Sequence, residues 1–319
     1  MNFQDLVKVE TPDFYLDVAF RRTKDKARLI RGSQLKGTRM DKSRYIETRK
    51  IELIKDVLVN SLIKIVKSFP SIDQLPEFYL ELVKCTIDYA TLKKSLGAVN
   101  WAIKRVDEFF KIYSSKINKC SDLQKINQYR REFYGRISSF IKQIKKELAF
   151  LEESRKVMKG FPAIKTSIPT VVIAGFPNIG KTTLLYKLTG SKPEISNYSF
   201  TTKGINVSYY KNESKKIQLL DTPGTLDRFN KMNYIEKQAY LAIKLLAEKI
   251  IYIFDLTEPY PIKSQLKLYK NLSMLGKPII CYLSKTDVID KKIIEEFAKK
   301  HKCITDIKKL EKEIINQEK

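Results

Sequence analysis

The chain has 319 residues, 43% of them hydrophobic, enough to bury the cores of two domains and too many for a disordered protein. Its 61 Lys+Arg against 36 Asp+Glu give a net charge of +25, which favours a polyanionic partner such as a structured RNA over the alternative of lysines that only keep a surface solvated. The apolar runs fall short of the roughly 18 residues of a membrane span, and four scattered cysteines with one histidine make neither a disulfide framework nor a zinc site, so a cytoplasmic protein with no transmembrane segment is expected.

Residues 1–20 read as a short lead-in. Between Arg21 and Lys50 basic residues far outnumber Asp25, Asp41 and Glu47, and Gly32 and Gly37 interrupt the run, so a partly flexible basic arm is expected, followed by a helix from about Asp41. Such an arm suits a phosphate backbone; a solvated loop is the bland alternative. Four helical stripes follow. Ile51, Ile54, Leu58, Leu62 and Ile65 form the first, closed by Phe69-Pro70; Pro76 opens the second, with Phe78, Tyr79, Leu82, Val83, Ile87 and Ala90. The third runs over about 96–117 and the fourth over about 122–159, whose polar side carries Arg130, Arg131, Arg136, Lys142, Lys145 and Lys146. Stripes of this kind bury one another in an all-α antiparallel helical bundle, and residues 1–168 are assigned to this arm and bundle.

From Thr170 the pattern alternates. Strands are expected at 170–174, 205–210, 217–220, 250–255 and 278–283, with a short one near 303–305; helices are expected near 181–189, 233–248, 263–275, 291–301 and 306–317. That alternation predicts an α/β domain over 169–319, a mostly parallel sheet with helices on both faces.

The chemistry concentrates there. Gly175-Phe176-Pro177-Asn178-Ile179-Gly180-Lys181-Thr182-Thr183 fits G-x-x-x-x-G-K-[ST] between a strand and a helix, the pattern of a phosphate-binding loop. Lys181 would reach the β- and γ-phosphates, and the Thr182 hydroxyl would take a place on Mg²⁺. Downstream, Thr202, with Thr201 as second choice, would swing onto Mg²⁺ and the γ-phosphate. In Asp221-Thr222-Pro223-Gly224, Asp221 would hold the Mg²⁺ shell, and the Gly224 N–H would sense the γ-phosphate. In Ser284-Lys285-Thr286-Asp287, Asp287 would accept from the N1–H and exocyclic amino group of guanine, and the Lys285 stem would cover the purine. The usual form is N-K-x-D, so Ser284 is a departure that weakens the contact to the base. These residues would carry GTP or GDP, with Lys181, Thr202 and Gly224 closest to the reacting phosphate.

The order of these motifs resembles that of Ras-like GTPases. The runs Gly175-Phe176-Pro177-Asn178, Tyr198-Ser199-Phe200-Thr201-Thr202-Lys203 and Asp221-Thr222-Pro223-Gly224-Thr225-Leu226-Asp227-Arg228 are similar to Obg-related GTPases, and within them to the nucleolar GTP-binding protein family and its archaeal relatives. The bundle shares that family's Phe69-Pro70, Phe78-Tyr79, Lys94-Ser95-Leu96-Gly97 and Gly135-Arg136. The resemblance implies a helical bundle ahead of a G domain, and assembly of the large ribosomal subunit through rRNA, with assembly factors as further partners. It implies a nucleolar location in a eukaryote and a cytoplasmic one otherwise. Ile304-Thr305-Asp306 is the nearest match to the family's last guanine loop, which puts Thr305 beside the base. Asn178 resembles the asparagine that ligates K⁺ in potassium-dependent members of the wider class; the alternative is that it only supports the turn. Thr225 stands where Ras-like proteins often place a water-orienting glutamine, so hydrolysis is expected to be slow. Two other readings remain at this point: a GTPase whose basic arm binds a protein or an acidic membrane, and a non-hydrolysing nucleotide-binding scaffold.

Overall fold

A computed structural model describes residues 3–32, 36–190, 205–211, 216–223, 234–257 and 260–316. The chain divides into two units: Gln4–Ile72 with Ile87–Lys159, and Met1–Phe3 with Asp73–Thr86 and Gly160–Lys319.

Among the described residues, five helices make the first unit: α1 (Pro12–Gly32), α2 (Arg39–Ser68), α4 (Tyr89–Lys119), α5 (Leu123–Gln143) and α6 (Lys145–Lys159), while α3 (Glu77–Thr86) belongs to the second. The pairs α2/α4, α4/α5 and α1/α5 run antiparallel. The Arg44 guanidinium near the start of α2 donates to the Cys120 carbonyl beyond the end of α4, and Lys55 lies over Phe110. Phe109 and Tyr113 of α4 meet Phe140 and Phe133 of α5 in the opposite order. Phe20 of α1 packs on Tyr134, and Asp13 pairs with Lys142. Ile51, Ile54, Leu58, Leu62 and Ile65 are buried together with Leu92, Val99, Val106, Phe133, Ile137 and Ile141, as the helical spacing requires.

Three expectations are corrected here. The basic window is not an arm: α1 is helical through residue 32, and α2 begins at Arg39 behind a capping box in which Thr38 and Asp41 bond reciprocally. The reason is a narrow seam of Tyr15, Leu16, Ala19, Thr23 and Ala27, all buried, whose small residues give no strong apolar stripe. The second predicted helix ends at Thr86, and Asp88 caps α4, so Ala90 belongs to the next helix. The long fourth helix is two, divided at Ile144, whose φ of −89° and ψ of 20° leave the helical region.

In the second unit, α3 buries Phe78, Tyr79, Leu82 and Val83. The Tyr79 hydroxyl accepts from the Ile164 N–H and donates to the Pro162 carbonyl, both at 2.9 Å, which ties α3 to the segment entering the sheet. The sequence reading groups this helix with the bundle; the structure groups it with the C-terminal unit.

The sheet comprises β1 (Thr170–Ala174), β2 (Asn206–Lys211), β3 (Lys216–Asp221), β4 (Lys249–Phe254) and β5 (Ile279–Leu283) in the order β2-β3-β1-β4-β5. Only β2 is antiparallel to its neighbour. The helices α7 (Lys181–Thr189), α8 (Tyr234–Leu245), α9 (Ile262–Ser273), α10 (Lys291–His301) and α11 (Ile307–Ile315) alternate with the strands. The short strand near 303–305 is a single parallel bridge, Ile304 to Tyr282. Parallel pairing aligns Ile173 with Asp221 and Phe254 with Leu283, so the segments after β1, β3, β4 and β5 all leave one edge of the sheet. Open parallel sheets bind ligands at that edge.

Candidate nucleotide site

The loop from β1 to α7 is curled by three positive φ angles: Gly175 at 144°, Asn178 at 59° and Gly180 at 96°. A side chain at Gly175 would run into Ile179 Cδ1 and approach the Ile253 carbonyl to 3.0 Å, so the turn admits only glycine. Asn178, a residue type that tolerates the left-handed region, is exposed at the bend. Lys181 is buried, and its ammonium donates to the Phe176 carbonyl across the loop at 2.6 Å. The Phe176 ring packs on Tyr260 with centroids 4.6 Å apart, and Ile179 is buried beneath. Pro177 and Thr183 stand on the outer side of the loop and first helical turn.

Asp221 ends β3 beside this loop. Its Oδ2 accepts from Thr182 Oγ1 at 2.6 Å and from Asn206 Nδ2 at 3.1 Å. Its Oδ1 is buried with no hydrogen-bond partner among the described residues. Burial pushes this carboxyl above the usual carboxylate range, against the opposing pull of Thr182, Lys181 and Asn206. A buried carboxylate with one oxygen unmatched, next to a threonine hydroxyl, is an all-oxygen donor set that fits a hard divalent ion such as Mg²⁺. Thr222 turns inward, its hydroxyl donating to the Ile173 carbonyl at 2.9 Å, and Pro223 follows at the surface.

The sign of the Asp221 shift gives a prediction. A carboxyl whose folded pKa is raised costs stability at neutral pH, because the stabilisation of its protonated form is lost as pH rises through the folded value. Asp221→Asn, with no nucleotide present, is therefore expected to melt higher at pH 7, by roughly 1–3 kcal/mol of restored stability. If Mg²⁺ binds at this carboxylate together with a nucleotide, the protection it adds should vanish in the same variant. A variant that melts lower and still responds to Mg²⁺ would contradict this account of the site.

A second cluster follows β5. Ser284 is buried, and its hydroxyl donates to the Phe254 carbonyl at 3.1 Å. Its Cβ lies 3.8 Å from where a Cβ on Gly180 would stand, so the short side chain backs the phosphate loop. Lys285 takes a left-handed φ of 52°, and its ammonium pairs with the fully buried Asp255 at 2.6 Å. Asp255 also accepts from the Thr257 N–H and hydroxyl, and Gln265, wholly buried, clamps the Asp255 and Tyr260 backbone. Asp287 is exposed in the short 3₁₀ turn Thr286–Val288. Thr305 is exposed between the bridge residue Ile304 and Asp306, which caps α11.

Thr201, Thr202 and Gly224 lie outside the described residues. Three polar residues that motif reading passes over join the site: Asn206 at Asp221, Asp255 at Lys285, and Gln265 behind Asp255. Asn206 is the antiparallel register partner of Asp221, and no spacing along the chain shows that. The only local signal for Asp255 is its place at the end of an apolar strand, two residues before a threonine.

Comparison with known proteins agrees with this arrangement of a helical unit and a loop-bearing sheet. Residues 3–165 match the family described as the NOG1 N-terminal helical domain, and residues 170–285 match that described as a 50S ribosome-binding GTPase. An uncharacterized protein of Methanocaldococcus jannaschii is 39% identical over 297 residues, 92% of this chain and 83% of that one. Nucleolar GTP-binding protein 1 of Saccharomyces cerevisiae is 29% identical over 301 residues, 93% of this chain and 46% of that protein. The chain thus spans about half the length of the nucleolar relatives it matches. A crystal structure of Era from Aquifex aeolicus, bound to GDP and AlF₄⁻, is 30% identical over 42% of this chain and 47% of that chain, with a TM-score of 0.34. With a helical domain and a GTPase domain in this order, the chain belongs to the family of nucleolar GTP-binding protein 1.

Proposed function

We propose that the chain is a slow GTPase switch in assembly of the large ribosomal subunit, docking on rRNA through its helical unit. The observation that carries the docking half is the exposed basic surface of α1: Arg21, Arg22, Lys24, Lys26 and Arg28 all face solvent, on both sides of the buried seam of Ala19, Thr23 and Ala27. Cations fixed on a helix suit a phosphate backbone better than a loose arm, because less freedom is lost on binding. The name of the yeast relative, a nucleolar GTP-binding protein, and the description of the family matched by residues 170–285, a 50S ribosome-binding GTPase, support the ribosomal setting. Among the described residues no helix is long and apolar enough to cross a membrane. A cytoplasmic location, or a nucleolar one in a eukaryote, goes with this reading.

In this reading the Lys181 ammonium leaves the Phe176 carbonyl for the β- and γ-phosphates. Thr182 and Asp221, now hydrogen-bonded to each other, would hold Mg²⁺. Bound Mg²⁺ would neutralise charge on the phosphates. Thr202 and Gly224 enter from the sequence, as the groups that let go once the γ-phosphate is cleaved. Lys285, braced by Asp255, lays its stem along the purine, and Asp287 accepts from guanine with Thr305 nearby. Thr225 offers no glutamine to orient water, which is the reason for slow turnover. Asn178 is proposed as a K⁺ ligand that compensates: turnover is expected to be several-fold faster in KCl than in NaCl at matched ionic strength. Equal rates would leave Asn178 its backbone role alone.

The experiment that tests the whole reading is co-sedimentation of the chain with large ribosomal subunits and their precursors, with GDP or a non-hydrolysable GTP analogue present. Nucleotide-dependent co-sedimentation supports the switch. Binding to acidic vesicles with none to rRNA would replace it by a membrane-directed GTPase.

A further inference from the structure

The sequence scatters its four cysteines, yet the fold brings two of them side by side. Ile304 forms a parallel bridge with Tyr282, its N–H donates to the Cys281 carbonyl at 2.8 Å, and its own carbonyl accepts from the Leu283 N–H at 2.9 Å. Cys281 and Cys303 immediately precede the two bridge partners, so they occupy laterally adjacent positions with side chains on the same face. Adjacent strands lie about 4.8 Å apart, inside the range of Cα separations that a disulfide spans. The Cys303 thiol donates to the His301 carbonyl at 3.7 Å, and Tyr269 lies beside Cys281 in the wall of a shared cavity.

The pair is not sealed in the core. A cavity of about 240 Å³ opens onto Cys281, lined by Phe254, Tyr269, Cys281, Lys300, His301 and Lys302. Cys281 itself is buried, and Cys303 is half-buried. Two lysines at the mouth make the entrance electropositive, a setting that favours thiolate. Among the described residues no group of three or more His, Cys, Asp or Glu could hold a metal ion.

We propose that Cys281 and Cys303 are a reversible dithiol–disulfide pair, oxidised by hydroperoxides that enter through the cavity beside α10. The neighbouring Cys303 pushes the Cys281 thiol down, while Cys281 and burial push Cys303 up. Cys281, not Cys303, lines the cavity, so it is the attacking sulfur. Its thiolate attacks one peroxide oxygen and the O–O bond breaks, giving a sulfenic acid on Cys281 while the second oxygen leaves as water or alcohol after taking a proton. The Cys303 sulfur then attacks Cys281, the S–O bond breaks, and water leaves. The two thiols lose two electrons and two protons in all, and the peroxide is reduced.

The link would join β5 directly to the segment that carries Thr305. Ser284 and Lys285 follow Cys281 by three and four residues, and Thr305 follows Cys303 by two. Both segments face the base in the function proposed above, so a change in guanine-nucleotide affinity on oxidation rests on that reading, whereas formation of the link does not.

The test uses the full chain treated with a small excess of hydrogen peroxide, followed by alkylation and peptide mapping by mass spectrometry. The expected result is one new linkage, between the peptides containing Cys281 and Cys303, two hydrogens lighter than their sum and reversed by a dithiol reductant. Cys85 and Cys120 should stay alkylated. Cys303→Ser should stop at a trappable sulfenic acid on Cys281. Four free thiols after treatment, or linkage between any other pair, would overturn the proposal. A GDP titration of the oxidised and re-reduced protein should show a reversible shift of about threefold or more. An unchanged affinity with the link in place would overturn the coupling to the base loops, and absence of GDP binding in both forms would instead count against the nucleotide reading.

Discussion

Lys181→Ala is expected to abolish GTP turnover and to weaken GTP and GDP binding by at least about 100-fold, because each charge-assisted hydrogen bond it loses contributes roughly 1.5–3 kcal/mol. The ammonium is buried within the phosphate loop and hydrogen-bonded to Phe176, so it is already held close to where the phosphates would lie. The helix itself does not hang on this side chain: α7 starts behind a left-handed Gly180 and is held by buried Leu184, Leu185 and Leu188. The variant should therefore keep its circular dichroism spectrum and lose only a modest amount of thermal stability. Titration calorimetry and a phosphate-release assay give the two readouts. A folded variant that binds and turns over GTP like the parent would remove the phosphate-loop role of residues 175–183. The same variant should lose nucleotide dependence in the co-sedimentation assay while retaining basal RNA affinity.

The second large effect concerns the bundle. Changing Arg21, Arg22, Lys24, Lys26 and Arg28 to glutamine is expected to lower rRNA affinity roughly 10- to 100-fold at moderate salt. The dependence of log K on log salt should flatten by roughly 0.7–0.9 for each phosphate contact removed. All five side chains are exposed, and the seam of Tyr15, Leu16, Ala19, Thr23 and Ala27 is untouched, so the bundle should fold as before. Deleting 21–50 would be a poor substitute. Residues 21–32 complete α1, and the removed part of α2 contains Glu47, which pairs with Lys50 and Arg130 inside the bundle. Losing Glu47 would leave the Arg130 charge uncompensated and confound loss of contact with loss of fold. An unchanged affinity and salt slope in the five-glutamine variant would move the docking surface elsewhere, the basic side of α5 and α6 being the next to test.

Much of the G-domain architecture is legible in the sequence because the signals are local. The strand 170–174 and the helix 181–189 fall where the apolar run and the leucine spacing put them, since a buried strand and an amphipathic turn each carry their own period. The glycines of the phosphate loop mark left-handed backbone that no neighbour has to supply. The apolar stripes likewise specify which faces of the bundle helices are buried.

What the sequence conceals is set by register and by weak stripes. The helix 12–32 escapes notice because alanine and threonine can seat it only if large residues on neighbouring helices fill the space opposite. The grouping of 77–86 with the C-terminal unit turns on Tyr79 meeting Pro162 and Ile164, more than 80 residues away. Asn206 reaches Asp221, Asp255 braces Lys285, and Cys281 lies beside Cys303 only because strand order and pairing bring them together. By itself the sequence determined which residue types are present and the local bends and periods they favour. Which side chain stands across from which was decided by tertiary structure alone, because a one-residue change of register would separate each of these pairs while leaving the linear motifs unaltered.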